Sequence, residues 1–577
     1  MKLVSTKLAW IKMMILLSFM VCFIKADIPV HCVSSQIAGK WIFHLGKMKE
    51  MKTPSDKYKL TCFHDIPSNE KTSYLSLNNI KKVEKEKDSE LTLLPNNTVI
   101  FEKKLISKAK WTMIYDEGFE ITINENEKMF AFSKYDRTRE GKWVSYCHNI
   151  LIGWYYKGNK WGCFWGSKVG NNLDNPTNGE VENKLFYTQQ YQTPSVPQSP
   201  GYQPSLLKTY RFTQTISESK DLLNLSSEFK DHSTFVSIIN KANLSWKAKA
   251  YSALNGKTLG QIKSLIRSKK FFLGNTSFLK KNSNTIDNVI KGLNLKSLPS
   301  NGEHLLQDRK TLEQAELPTH FNWLNHVSEA RSQGNCGSCY AMSFIASLEA
   351  RFRIKYGKEL KTYSSVFGND LKNFLLSSEH VMKCSYYNQG CDGGYAYLVG
   401  KFFKEFELYP DQCFDSSINQ CQQICKEKQL RNLNLGVSDY YYVGGAYGKA
   451  SEKNIMRDLY MNGPLTISFE PEENFATYST GVYSGLKRNV FSTINSNTSQ
   501  KVLPEQKLQK PEWEKVDHSI LLVGWGEEKI NNEDVKYWII QNSWGTQWGK
   551  GGFGKFLRGV DLDGIESIAE AAIPLIK

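Results

Sequence analysis

After its first two dozen residues the sequence has no apolar run that approaches the roughly 20 residues a membrane-spanning helix needs, so no further span is expected. Acidic residues are in short supply: 58 Asp and Glu stand against 74 Lys and Arg, for a net charge of +16. No RNA- or DNA-binding signature accompanies that excess. The lysines are scattered or sit in mixed runs such as "KKVEKEKD", which reads as a solvated basic surface and argues against a nucleic-acid partner. The chain also lacks what a cysteine-rich zinc site requires. Cys336 and Cys339 stand at Cys-x-x-Cys spacing, but no second pair at zinc spacing follows, only Cys384-x6-Cys391, Cys413 and Cys421-x3-Cys425. With 40% hydrophobic and 23% charged residues the balance is that of a globular protein, and 577 residues suffice for about two to four domains.

What is present begins with a basic start (Lys2, Lys7), an apolar run from Met13 to Ile24, and Lys25-Ala26. This predicts a secretory signal peptide over residues 1–26, although Ile24 replaces the usual small residue two positions before Ala26. The localisation that follows is the secretory pathway, ending in a lysosome or vacuole or outside the cell. In an oxidising compartment cysteines pair. Of the twelve, Cys22 leaves with the signal; the eleven that remain are an odd number, which marks at least one unpaired thiol. Five Asn-x-Ser/Thr sequons, at Asn96, Asn224, Asn243, Asn275 and Asn497, are candidate glycosylation sites on the same route.

Residues 27–170 are aromatic and alternate apolar with polar ("GKWIFHLG", "NTVIFEKK", "GWYYKGNKWGCFWG"), which predicts antiparallel strands closing a sheet or barrel. Cys32, Cys62, Cys147 and Cys163 lie there, enough for two bridges. Residues 171–206 turn rich in Pro, Ser, Asn and Gln and read as a linker. A helical stretch is expected over about 216–268, where Phe235, Ile238, Ile239, Leu244 and Trp246 fall close to helical spacing. Residues 274–312 are polar again. A second folded region runs from Leu317 to the end, interrupted by the polar, low-complexity residues 486–516, a natural site for proteolytic nicking.

"RSQGNCGSCYAMSF" (331–344) poses the chemical question. Only a thiolate is a good nucleophile, and an ordinary thiol is mostly protonated at neutral pH. "YAMSFIASLEARFRIKY" after Cys339 has apolar positions at helical spacing, so Cys339 falls at a helix N-terminus, where the dipole favours an anion. A redox pair needs a preceding strand in a βαβ unit, and "LNHVSEARSQGN" is not one. His518 opens the strand-like "HSILLVGWG", and Asn542 ends "YWIIQN"; a histidine to take the proton and an amide to orient it make up the remaining parts of an activated nucleophile. Trp544, two residues on, is placed to shield their hydrogen bond.

"QGNCGSCY" together with His518 and Asn542 resembles the signature of papain-like cysteine peptidases, whose local motif is Cys-Gly-Ser-Cys-aromatic. The resemblance covers 317–577. It implies that Cys336 is disulfide-bonded and Cys339 is the nucleophile. His518 acts as general base and acid and Asn542 as its orienter. Gln333 and the Cys339 N–H form the oxyanion hole, and Gly394, in "CDGG", pairs with the substrate backbone. One departure is spacing: 179 positions separate Cys339 from His518 and 203 separate it from Asn542, against about 130–150 in that family. The 486–516 insertion accounts for most of the excess.

The additional β-rich region beginning "DIPVHCVSSQIAGKWIFHLG", with "CSYYNQGCDGGYAYLVGKF" and "YYYVGGAYG" in the second part, is similar to the cathepsin C (dipeptidyl peptidase I) group. That resemblance implies an α+β chain: an antiparallel β exclusion domain (27–170), a linker and helical propeptide (171–316) acting as inhibitor, and a two-lobed papain-like domain (317–577) with a helical and a β-barrel-like lobe. It also implies that Asp27, if first in the mature chain, holds the free amine of a peptide substrate. Ile568 would line the second subsite, a chloride ion would sit at Tyr395, Tyr397 and Tyr442, and no metal would be involved. With Cys339 set aside, Cys32, Cys62, Cys147, Cys163, Cys336, Cys384, Cys391, Cys413, Cys421 and Cys425 suffice for five bridges. The assembly implied is a homotetramer. The function expected is release of dipeptides from free N-termini; an endopeptidase and a catalytically silent binding protein are the alternatives.

Overall fold

In the computed structural model the described residues are 28, 30–65, 82–101, 104–138, 143–170, 232–242, 244–254, 289, 291–293, 295, 316–334, 336–414, 421, 425–485 and 516–577. They form an α+β molecule with two sheets. The first takes in β1 (Gly39–Gly46), β2 (Lys49–Glu50), β3 (Lys85–Leu93), β4 (Thr98–Phe101), β5 (Lys104–Ile114), β6 (Gly118–Asn124), β7 (Glu127–Arg137), β8 (Trp143–Ile150), β9 (Gly153–Lys157) and β10 (Lys160–Lys168). Every pairing is antiparallel, and β1 is hydrogen-bonded on both sides, to β3 and to β10, so the sheet closes into a barrel. Alternation in "GKWIFHLG" sends Trp41, Phe43 and Leu45 inward. Trp41 stacks on Phe43 and tilts against Phe119 in the barrel core. Two bridges, Cys32–Cys147 and Cys62–Cys163, tie the irregular segments to the strands.

The second sheet contains β11 (Trp246–Ala248), β12 (Phe321–Asn322), β13 (Leu435–Tyr442), β14 (Leu465–Phe469), β15 (Tyr478–Tyr483), β16 (His518–Ile530), β17 (Glu533–Gln541), β18 (Phe553–Leu557) and β19 (Ile568–Ile576). The order is β11-β15-β18-β17-β16-β14-β19-β13, with β12 on β16. Beside it lie the helices Cys339–Lys361, Ser378–Cys384 and Ala396–Glu405. The long helix forms because Ala, Leu, Glu and Arg dominate its middle. Ala341, Phe344, Ile345, Leu348 and Phe352 recur every three or four positions and are all buried. The helices are stapled by Cys336–Cys391, Cys384–Cys421 and Cys413–Cys425. Side chains of the barrel and of the helical lobe merge into one apolar core, while the second sheet carries its own.

The helix expected over 216–268 is shorter than its periodicity suggested. Within the described residues it spans His232–Lys241, and Trp246 sits instead in β11, antiparallel to β15. The physical reason is edge pairing: a free strand edge offers hydrogen bonds, and the Trp246 indole gains a fully buried place against Tyr483 there. From the stretch read as polar, Val289, Leu293 and Leu295 join the same core. Asn96 lies exposed in the turn before β4; Asn224, Asn243, Asn275, Asn497, Asp27 and the 171–206 linker fall outside the described residues, and only Val516 of the 486–516 insertion falls inside them. No helix among the described residues is long and apolar enough to cross a membrane.

Candidate active site

Cys339 is the first residue of the long helix, and it is the free cysteine among the described residues. The residue keeps partial exposure, so a substrate can reach it, but neighbouring atoms strip water from the sulfur itself. Burial pushes the thiol up to about 11, while the backbone N–H groups of Ser519, Tyr340 and Cys339 itself pull it down. Ser519 directly follows His518 at the start of β16, so the histidine's strand meets the nucleophile's helix at this point.

His518 is buried, and its Nε2 is 2.8 Å from the Asn542 Oδ1. An amide oxygen can only accept, so Nε2 carries the proton and Nδ1 is left as the free lone pair. Nδ1 makes no hydrogen bond in the protein, which leaves it available to a proton from Cys339. The Trp544 ring stacks on the imidazole with centroids 4.8 Å apart, closing the His518–Asn542 pair off from water. Burial pushes the imidazole down to about 4 against the Asn542 hydrogen bond. Thiol and imidazole are therefore each held neutral alone. Passing the proton from sulfur to Nδ1 creates two opposite charges at once, each relieving the other's burial.

The loop before the helix is tied down from both ends. The Gln333 backbone N–H donates to the Ser543 carbonyl at 2.8 Å, its Oε1 accepts from Ser543 Oγ at 2.5 Å, and its Nε2 donates to the Cys336 carbonyl at 3.0 Å. Gly337 donates to the Cys391 carbonyl at 3.0 Å beside the Cys336–Cys391 bridge. At Gly394 a Cβ would stand 2.6 Å from Asn388 Oδ1 and 2.7 Å from the Tyr340 ring, so only glycine fits.

The barrel reaches the cleft wall through the turn after β5. Tyr115 there donates from Oη to Glu570 Oε1 at 2.5 Å and lies 2.9 Å from Ser468 Oγ, on β19 and β14 respectively. The segment before the first helix is fastened to the same turn: Cys32 N–H donates to the Asp116 carbonyl at 2.7 Å, and His31 Nδ1 meets Asp116 Oδ2 at 2.5 Å. A second joint centres on Glu120 of β6, which accepts from Tyr440 at 2.5 Å and Tyr397 at 3.0 Å and pairs with Lys401 at 3.5 Å and Lys128 at 3.7 Å. Burial opposes its charge, but Lys128, Lys401 and the two phenols outweigh that and hold the carboxyl below its usual range.

Ile568 opens β19, fully buried, and stands opposite Ser468. Tyr395, Tyr397 and Tyr442 are buried close together, with Tyr397 stacked on Tyr442 at 4.3 Å. The Tyr395 N–H donates to Asn388 Oδ1 at 2.8 Å and the Tyr397 Oη to Glu120 at 3.0 Å, while the buried Tyr442 Oη has no protein partner. Sequence reasoning missed Ser519, Ser543, Tyr115, Glu120 and Glu570. Two carried a legible signal: Glu120 in "GFEITIN" and Glu570 in "IAEAAIP" are lone charges inside apolar strand runs, where a carboxyl needs partners. Ser519 and Ser543 pair through backbone and hydroxyl groups with residues distant in sequence, which leaves no local signature.

Comparison with known proteins adds four findings. Residues 317–573 match the papain family of cysteine proteases, and residues 27–168 match the cathepsin C exclusion domain. The chain is 26% identical to "Cathepsin C" of Schistosoma mansoni over 96% of each chain. It is 26% identical to "Dipeptidyl aminopeptidase 1" of Plasmodium falciparum, over 94% of this chain and 93% of that one.

Proposed function

From the match of residues 317–573 to the papain family of cysteine proteases and of residues 27–168 to the cathepsin C exclusion domain, we propose that the chain is a papain-like dipeptidyl aminopeptidase acting on peptides and proteins with a free N-terminus. Cys339 passes its proton to His518 Nδ1 and attacks the carbonyl of the second substrate residue. The Cys339 N–H and the Gln333 amide hold the oxyanion. His518, kept in register by Asn542 and Trp544, returns the proton to the leaving amine, and a thioester remains. Water, deprotonated by His518, then releases the dipeptide. Gly394 pairs with the substrate backbone, and Ile568 lines the second subsite.

The observation that carries the exopeptidase reading is the turn at Tyr115–Asp116. It sets the barrel against β14 and β19 and holds the segment before the first helix through Cys32 and His31. To Asp27, five residues before Cys32 in sequence, we assign the carboxylate that holds the substrate's ammonium and fixes the cut two residues in. We assign 1–26 to a signal peptide, 27–170 to the exclusion domain, 171–316 to linker and propeptide, and 317–577 to the peptidase. Burial of Trp246 in β11 supports the propeptide's role as an intramolecular inhibitor that rides on the peptidase. Cutting within 486–516, a homotetrameric assembly, glycosylation and delivery to a lysosome or vacuole, or secretion, complete the proposal. No step involves a metal or the chloride ion. The test is to incubate processed enzyme with a long free-amine peptide and follow products by mass. A ladder shortened by two residues per step is expected; fragments from internal cleavage contradict the reading.

A further inference from the structure

Between the long helix and the end of β17 lies a cavity of about 20 Å³. Its walls are Ser343, Ala346 and Glu349 of the helix, with Gln541, Asn542 and Ser543 at and just past the strand's end. A water needs roughly 10–15 Å³ of such space, so the volume suits one. The walls are polar, and cavities that stay empty are apolar ones. Charge narrows the occupant further. Glu349 Oε1 accepts from the Leu376 N–H at 2.7 Å and from Arg331, while Oε2 accepts from Ser328 Oγ at 3.1 Å with Arg353 3.6 Å away. A carboxylate already matched by two guanidinium groups calls for no ion, which leaves a neutral guest.

Asn542 is 2% exposed. Its Oδ1 accepts from His518 Nε2 and from the Ser543 N–H, each at 2.8 Å, and its Nδ2 has no protein partner. A buried amide N–H left unbonded is strongly disfavoured, so Nδ2 needs an acceptor. Ser343, one helical turn beyond Cys339 and also buried, uses its hydroxyl proton on the Cys339 carbonyl at 2.7 Å and keeps lone pairs to accept with. We propose that the cavity is a water site whose single water accepts from Asn542 Nδ2 and donates to Ser343 Oγ. The amide that orients the base is then tied to the helical turn that carries the nucleophile. Ser343 is thereby a positioning residue, acting through the water on Asn542 and through Asn542 on His518. The inference rests on the cysteine-peptidase reading of Cys339, His518 and Asn542.

The experiment uses the processed enzyme as wild type, Ala346→Leu, Ser343→Ala and the double variant, each checked for folding by its melting temperature. A crystal structure of the wild type should show a water within about 3.2 Å of both Asn542 Nδ2 and Ser343 Oγ. Ala346→Leu fills the cavity and expels that water; Ser343→Ala removes the hydroxyl it donates to. In each folded variant kcat on a dipeptide reporter should fall about tenfold while KM stays within about twofold. Alkylation of Cys339 by iodoacetamide should move to higher pH, because a loosened Asn542 supports the imidazolium less. The double variant should lose no more than the worse single one, since both changes remove the same water; structural damage at two separate places would multiply. A wild-type cavity with no water on Nδ2 overturns the proposal. So do wild-type kinetics in a folded variant, or losses that multiply in the double one. Should Ala346→Leu fail to fold, the wild-type structure and Ser343→Ala still decide. The crystal and alkylation readouts need no dipeptide release, so a failure of the dipeptidyl reading shows separately.

Discussion

Exchanging each half of the Cys-Gly-Ser-Cys pair for serine should have opposite consequences. The Cys336–Cys391 bridge closes 55 residues of chain. Loop-closure entropy for that length amounts to about 4 kcal/mol, to be compared with a typical net stability of about 5–15 kcal/mol. Cys336→Ser should therefore lower the melting temperature by roughly 10 °C in a domain of this size. It also frees the loop that carries Gln333, since Gly337 is paired to Cys391 beside the bridge. Cys339→Ser breaks no bridge and exchanges one small side chain for another at a half-buried helix start, so its melting temperature should shift by no more than about 2 °C, corresponding to about 0.5 kcal/mol. Turnover, however, should vanish, because a hydroxyl here lacks the thiolate's nucleophilicity. Thermal unfolding by circular dichroism, with alkylation by iodoacetamide mapped by mass spectrometry, distinguishes the two. The wild type should be alkylated at Cys339, and Cys336→Ser additionally at Cys391. Alkylation of wild-type Cys336, or a Cys339→Ser variant that melts early and still turns over, would refute the assignment.

Asn542→Ala should leave folding intact and lower kcat by about 10²-fold, since a ring free to turn misplaces Nδ1 by an ångström or so; steady-state kinetics on the reporter read it. Glu120→Ala leaves buried Lys128 with only Asp439 at 3.9 Å, while Lys401 keeps Glu405 at 2.5 Å; it should cost about 3 kcal/mol in urea unfolding, with hydrogen exchange rising first in the barrel. For Glu570 the sign runs the other way from a salt-bridged carboxyl. Burial raises it from 4.5 to about 8 against the hydroxyls of Tyr115 and Ser468, with Tyr442 and Glu117 nearby. The folded state holds its proton more tightly, so stability is lost as pH rises from the unfolded value through the folded one, by up to about 1.4 kcal/mol per pH unit. Wild-type minus Glu570→Gln stability, measured by urea melts across that window, should show this slope; a flat difference contradicts it.

The candidate catalytic residues stood out because rare residue types occupy distinctive local settings: a cysteine starting a helix, a histidine opening a largely apolar strand, an amide just beyond its neighbour. The barrel was legible from alternation in "GKWIFHLG", and its closure from two adjacent facts only the fold supplies, β1 pairing with β3 and with β10. Trp246 was misread as helical because two short elements of different period abut there, and only the free edge of β15 decides between them. The links between domains were hidden for a different reason. Tyr115–Glu570 and Glu120–Tyr440 join residues more than 300 positions apart, and no local pattern records a partner at that distance.

The most direct measurement is the ratio of kcat/KM for a peptide with a free N-terminus to that for the same peptide acetylated, on processed enzyme. A charge-assisted bond to the substrate ammonium is worth about 1.5–3 kcal/mol, or roughly one to two decades in rate. The ratio should be about ten or more, and Asp27→Ala should collapse it without slowing alkylation of Cys339. A ratio near one in the intact enzyme, with internal bonds cut as fast as terminal dipeptides, would contradict the account.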